Sequence, residues 1–517
     1  MHRRTAASAV VCLAVVIAGC AAPVSPPTGD GPESDWDERS SERVGWVNGY
    51  RYDDPIAVDQ SDGLNESETE AFLARTMARV EVIRGLPFRE PVSVRVITRE
   101  EFRERIAGGG GRSPERAAWH NQVWRALLLV DEGRNVSDVL DGLYGENVLG
   151  YYSPRNGEIV VVTDSRTPRI DRRTLSHELV HALQDQHFGL GGRPGTLDGR
   201  LARNGLVEGD AGYVEQLYER RCRADWECVP RPPRAGRNVS VADDAFGVYA
   251  TIYQPYSDGP QLVHERRAAG GWAAVNAMYD RPPASAAQVV HPEKYPDAEP
   301  VPVEIEDRSS AEWSRFDVER PADTVGEAAL YVALRERGRI GSNHFLSSTD
   351  PYSPYNYSHP ITDGWAGDSV VPYRSADGEY GYVFRTVWET DADAERFASA
   401  YRATLRTGLG TERAGERTYR VPENRPYSGA YRVTRAGDAV TIVNAPTVER
   451  LDGVHRPPAS ADSRRKSADG GSLEPRDPPP AESAFDPLAA DRAALPAPPS
   501  AVTDVPPAAV GGPFACN

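Results

Sequence analysis

Apolar side chains return every three or four positions in "ESETEAFLARTMARVEVIR", and that spacing predicts a helix over Glu66–Arg84. The period then changes. "VSVRVIT", residues 92–98, alternates apolar and polar positions as a half-buried strand does, and "REEFRERI" after it turns helical again. "VLGYYSPRNGEIVVVT", residues 148–163, reads as two strands around the turn signal Pro154-Arg155-Asn156-Gly157. This hairpin runs directly into "TLSHELVHALQDQHFGL", residues 174–190, where Leu175, Leu179 and Leu183 form the core stripe of a helix. A further helix is expected over residues 203–221 in "ARNGLVEGDAGYVEQLYERR". Later, "TVGEAALYVALRERG" predicts a helix, "SVVPYR" and "EYGYVFRTVWET" two strands, and "AERFASAYRATL" another helix, with "GWAGD", residues 364–368, as a turn entering the first of those strands. Strands and helices in this mixture point to an α+β fold.

The two ends of the chain carry no such pattern. Residues 1–20 start basic at His2-Arg3-Arg4, continue apolar and close on Ile17-Ala18-Gly19-Cys20, the form of an export signal with a lipoprotein cleavage box. The apolar run is too short to span a bilayer. Cys20 is therefore expected to carry lipid and to anchor the mature chain to the membrane from outside the cell. Residues 21–43 are rich in Pro, Gly, Ser and acidic groups, as suits a flexible spacer. Residues 457–517 hold 13 prolines and few large apolar groups, too few to offset the entropy of ordering. Between these disordered termini the body divides into two expected domains, 44–298 and 299–456.

Charge narrows the function. With 76 acidic against 59 basic residues the net charge is −17, and Lys294 and Lys466 are the only lysines. An acidic, lysine-poor surface suits high salt, which screens its self-repulsion, and it excludes nucleic acid as a partner. Four N-glycosylation sequons, at Asn65, Asn135, Asn238 and Asn356, fit an exported chain. So do Cys222 and Cys228, six residues apart and suitably spaced for a local disulfide.

The candidate chemistry lies in the helix after the hairpin. His177 and His181 stand one turn apart, so both rings share a face and can offer nitrogens to one zinc ion, Zn2+. Glu178 between them completes H-E-x-x-H, in which the glutamate is the general base of a metallopeptidase. An open catalytic zinc site uses a third protein ligand. Glu208, in Glu208-Gly209-Asp210-Ala211, is the candidate, because a glycine beside it lets two helices approach closely.

These residues resemble the glutamate zincins, or gluzincins, with H-E-x-x-H on one helix and a glutamate ligand on the next. "HELVHALQDQHF", "VEGDA" and "PPASAAQVVHPEKY" together resemble exported zincin-like proteins of bacteria and archaea, including haloarchaeal surface lipoproteins. The likeness covers roughly residues 142–295. It implies a zincin-like metallopeptidase domain over 44–298, a peptide or protein substrate, and an α+β domain of unassigned role behind it. In the gluzincin branch closest to thermolysin, an aspartate four residues after the glutamate ligand supports a histidine; here Gly212 occupies that position, and Asp185 is a local substitute. In peptidases of this kind a histidine or tyrosine stabilises the oxyanion. His291 is a candidate for that role or for fixing the turn before Pro292, and Tyr151, Tyr152 and Tyr213 either donate there or pack. His187 reads as a helix-end residue. The rival to catalysis is a surface or envelope-binding protein that keeps a zincin-like fold.

Overall fold

The computed structural model describes residues 43–108, 113–163, 168–192, 194–232 and 241–457. The expected signal, Cys20, residues 21–42 of the spacer, Asn238 and nearly all of the proline-rich tail lie outside the described residues. What is described is a mixed α+β fold with three sheets, the smallest a two-stranded ribbon of Trp46–Val47 and Tyr50–Arg51.

The first helix spans Glu66–Arg84. Asn65 closes its amino end by accepting from the Glu68 amide while the Glu68 carboxylate reaches back to the Asn65 amide, and Gly85 ends it in the left-handed conformation. Asn65 and Asn135, read above as sequons, both serve as helix caps. A three-stranded sheet follows, in the order Ser93–Thr98, Glu158–Thr163, Gly150–Ser153. The first pair is parallel and the second antiparallel, so Gly150–Ser153 is an edge strand. The Val162 amide bonds the Leu149 carbonyl, and with alternate pairs in an antiparallel ladder this phase turns the backbone groups of Gly150 and Tyr152 toward the open edge.

Three long helices form the middle of the molecule. The histidine helix spans Arg172–Phe188, capped by Asp171. Its partner spans Leu197–Ala224, beginning six residues before the expected start because Thr196 caps it and Leu197 and Leu201 are already core residues. The third, Phe246–Asp280, is broken at Gly270-Gly271 and packs along the second. At the crossing of these two helices Gly209 faces Gly259: a Cβ on Gly209 would lie 2.5 Å from the Gly259 carbonyl, so only hydrogen allows the approach. The glycine beside Glu208 thus sets the distance to the third helix and not to the histidine helix. At the end of the second helix Cys222 and Cys228 are joined by a disulfide.

The carboxyl half is a seven-stranded antiparallel sheet in the order Trp313–Arg315, Trp365–Ser375, Tyr380–Trp388, Ala439–Ala445, Gly429–Ala436, Thr418–Val421, Glu412–Arg413. Helices Gly326–Glu336 and Asp391–Ala403 pack against it. One hydrophobic core runs from Ile97 through Leu201, Tyr249 and Leu330 to Ile442, so it crosses the boundary expected at residue 298. A second core lies under the histidine helix and contains Leu175, Leu179 and Leu183. Among the described residues no helix is long and apolar enough to cross a membrane.

Candidate metal centre

The histidine helix buries one stripe of leucines, which leaves its other face to the second long helix. There His177 and His181 meet with ring centroids 4.8 Å apart and planes at 82°. Glu208 comes up from the second helix between them. Its Oε2 lies 3.3 Å from His177 Nε2 and 3.2 Å from His181 Nε2. These separations match the edge of a tetrahedron of ligands about 2.0–2.1 Å from a common centre, roughly 3.3–3.4 Å. The His181 nitrogen is not aligned for a hydrogen bond to that oxygen and has no other partner among the described residues. Its lone pair is free for a metal shared with the other two groups.

The outer nitrogens of both rings are fixed from behind. His181 Nδ1 is 2.9 Å from the Gln184 amide oxygen, and Gln184 in turn donates to the Val207 carbonyl at 2.8 Å. An amide oxygen only accepts, so Nδ1 of His181 carries the proton and Nε2 is the free lone pair. His177 Nδ1 is 3.2 Å from Glu215 Oε2, and Glu215 also accepts from Arg173 Nε at 2.6 Å. This again leaves Nε2 of His177 for the centre. Asp185 plays no part in this support. It accepts from the Tyr152 hydroxyl at 3.1 Å and from the Leu190 amide.

Glu178 lies beside the centre without belonging to the ligand set. It is fully buried, and neither carboxylate oxygen makes a hydrogen bond of normal geometry. Burial raises its pKa to about 7 even though His181 and His177 oppose the shift. The edge strand lies against it: a Cβ on Gly150 would meet the Glu178 Cγ at 3.9 Å, and the Tyr152 amide faces its carboxylate. For His177 burial opposes the charged form, but Glu208 and Glu215 outweigh it and push the ring up to about 10. A proton and a cation would compete for that lone pair.

His291 is elsewhere. Its Nε2 bonds Glu327 at 2.9 Å and its ring groups with Asp363, not with the H-E-x-x-H residues. The hydroxyl that faces Glu208 belongs instead to Tyr256, on the third helix, which is buried and has no hydrogen-bond partner of normal geometry. Tyr152 is committed to Asp185 and Tyr213 to His264. His187 holds the Pro87 carbonyl at 2.7 Å near the end of its helix. Behind the support of His177 lies a cavity of about 500 Å³ with Tyr256, Glu215 and Arg173 on its wall together with Tyr253 and Tyr352; His177, Glu178, His181 and Glu208 do not line it.

Three of these residues escape sequence reasoning, each for its own reason. Glu215 stands seven residues after Glu208, two helical turns on the same face, and that spacing was the available signal. Gln184, three residues after His181, could be found in the same way. Tyr256 had no signal, since Pro255 and Pro260 on either side argue against a helix.

Residues 314–455 match a family model described as a domain of unknown function, DUF8575. No curated protein and no solved structure matches the chain.

Proposed function

We propose that the protein is an exported zinc metallopeptidase of the gluzincin type, with a zincin-like amino-terminal half, held at the outer face of the cell membrane by lipid on Cys20. The observation that carries the catalytic part is the convergence of His177, His181 and Glu208 on one point, with the unpartnered carboxylate of Glu178 beside it. Two imidazoles and a carboxylate are a donor set that suits zinc and leaves a position open. A zinc ion held there supplies Lewis acidity and a water that ionises near neutral pH.

The chain's own groups do the rest. Glu178, with its pKa near 7, is poised to take a proton at its carboxylate and pass it to the leaving amine. Once the buried edge is uncovered, the unpaired backbone groups of Gly150 and the Tyr152 carbonyl suit an extended peptide added as a further strand, which would lay its scissile bond against Glu178. The Tyr256 hydroxyl, rather than His291, is the donor suited to a developing oxyanion. The order of edge strand, histidine helix and glutamate helix supports the zincin-like reading.

The test is hydrolysis of several unrelated unfolded proteins in high salt by the full chain and by Glu178→Gln. The parent is expected to cleave, and the variant to lose at least about a hundredfold while keeping its fold, as for any lost general base. Equal rates would overturn the mechanism. Complete burial of His177, Glu178 and His181 favours the rival reading, a non-catalytic envelope-binding protein, for which the parent cleaves nothing. The anchor rests on residues 1–20 and is checked separately by mass spectrometry of the mature amino terminus. A lipid on the Cys20 sulfur is expected there, and an unmodified cysteine contradicts it.

A further inference from the structure

We propose that a second divalent cation binds where the two halves of the chain meet, held by His291, Glu327 and Asp363. The inference does not depend on the peptidase reading. The three residues come from separate segments: His291 follows the short helix Ala287–Val290, Glu327 lies in the first turn of Gly326–Glu336, and Asp363 precedes the strand Trp365–Ser375. His291 Nε2 is 2.9 Å from Glu327 Oε1 and 3.7 Å from Asp363 Oδ1, and one donor atom from each residue falls within 4.8 Å of the others.

An ion pair between His291 and Glu327 accounts for only one of the two Glu327 oxygens. Glu327 is fully buried, and its Oε2 has no partner among the described residues. One turn later on the same helix face, the buried Tyr331 hydroxyl also lacks one. Nearby, beside Asp258, so does the Gln254 amide oxygen. A buried carboxylate oxygen left bare is costly, and a cation on Glu327 satisfies it.

The surroundings hold the three ligands in place. Asp363 Oδ1 accepts from the His359 amide at 2.6 Å and from Ser358 Oγ at 3.1 Å, which fixes the carboxylate. Asp368 accepts from the Val325 and Gly326 amides, both at 2.8 Å, and so fixes the start of the helix that carries Glu327. Lys294 is the nearby cation, but its ammonium is committed to the Asp363 carbonyl at 2.6 Å and to Glu389 at 3.0 Å. Glu293 lies 3.7 Å from the opposite ring nitrogen of His291. One imidazole with two carboxylates suits a transition-metal ion such as Zn2+ or Mn2+ over Ca2+ or Mg2+, which favour oxygen alone. Asp363 is partly exposed, and a cavity of about 290 Å³ lined by Asp258, Val290, Pro292 and Ser358 lies alongside.

The experiment counts ions on the full chain after equilibration with Zn2+ or Mn2+, using the parent, His177→Ala/His181→Ala and Glu327→Gln/Asp363→Asn. The parent is expected to hold two ions and each double variant one. Addition of Mn2+ should also raise the thermal midpoint of His177→Ala/His181→Ala but not that of a variant lacking both sites. If His177→Ala/His181→Ala holds no ion while folded, or Glu327→Gln/Asp363→Asn holds as many as the parent, the second site does not exist. Should Glu327→Gln fail to fold, modification of His291 by diethylpyrocarbonate in the parent decides: protection by Zn2+ supports the site, and an unchanged rate overturns it. A parent that holds two ions and cleaves nothing defeats the peptidase reading and leaves this one standing.

Discussion

At the scale of single residues, the difference between Glu215 and Asp185 separates support of the proposed metal centre from support of the fold around it. Glu215 touches His177 and is itself held by Arg173, whereas Asp185 touches Tyr152 and a backbone amide. Glu215→Gln is therefore expected to weaken zinc binding by about 10–100-fold, the usual effect of losing a partner that orients a ligand. Asp185→Asn should leave zinc affinity unchanged. Competition titration with a coloured chelator measures both, and equal losses in the two variants would remove the distinction. The pair of histidines was legible because an i, i+4 spacing is a local property of a helix. Glu208 was legible because it follows on the next helix. What orients them was not, because Gly212 stands where the resemblance places an aspartate and the support, Glu215, stands one turn further on.

At the scale of elements, the hairpin and histidine helix could be read directly from a change of period between 2 and 3.6, and Glu66–Arg84 from its spacing alone. The third helix could not. Phe246–Asp280 contains Pro255, Gly259 and Pro260, residues that normally end helices, yet Gly259 is where Gly209 needs it to be. Tertiary packing overrides local preference at this crossing. The consequence reaches the site, since Tyr256 sits between the two prolines and faces Glu208. In the carboxyl half, the strands Trp365–Ser375 and Tyr380–Trp388 stood out as long apolar runs. Gly429–Ala436 and Ala439–Ala445 pair through a hairpin whose Gly437 takes a positive φ, a turn signal masked because Arg432 and Arg435, three residues apart, break the two-residue period of the first strand.

At the scale of the whole molecule, buried carboxylates along the join of the two halves give stability a pH dependence. Burial raises Asp368 to about 7 and Asp323 to about 6, and raises Asp198 well above its ordinary value. In the amino-terminal half burial likewise raises Glu81 to about 7. Unfolded carboxylates titrate near 4, so between about pH 4 and pH 7 the native state binds more protons than the unfolded one. Stability from these groups is fully present at the acidic end of that window and is lost as pH rises through it. His455, which burial pushes down to about 4, opposes the trend below about pH 6.5, as do His187 and His359, which burial also lowers, while Asp258, raised by burial to about 7, adds to it. The thermal midpoint is expected to fall from pH 5 to pH 7, and Asp368→Asn to flatten the slope. A midpoint that rises across this range contradicts the assignment.

The central claim is that His177, His181 and Glu208 hold a zinc ion that Glu178 does not. It is tested most directly by zinc content after dialysis against a weak chelator, comparing Glu208→Ala with Glu178→Gln in a Glu327→Gln/Asp363→Asn background, where only this centre counts. Glu178→Gln should retain one zinc per chain and Glu208→Ala should lose most of it. Equal zinc in the two variants, with Glu208→Ala still folded, would contradict the three-ligand centre.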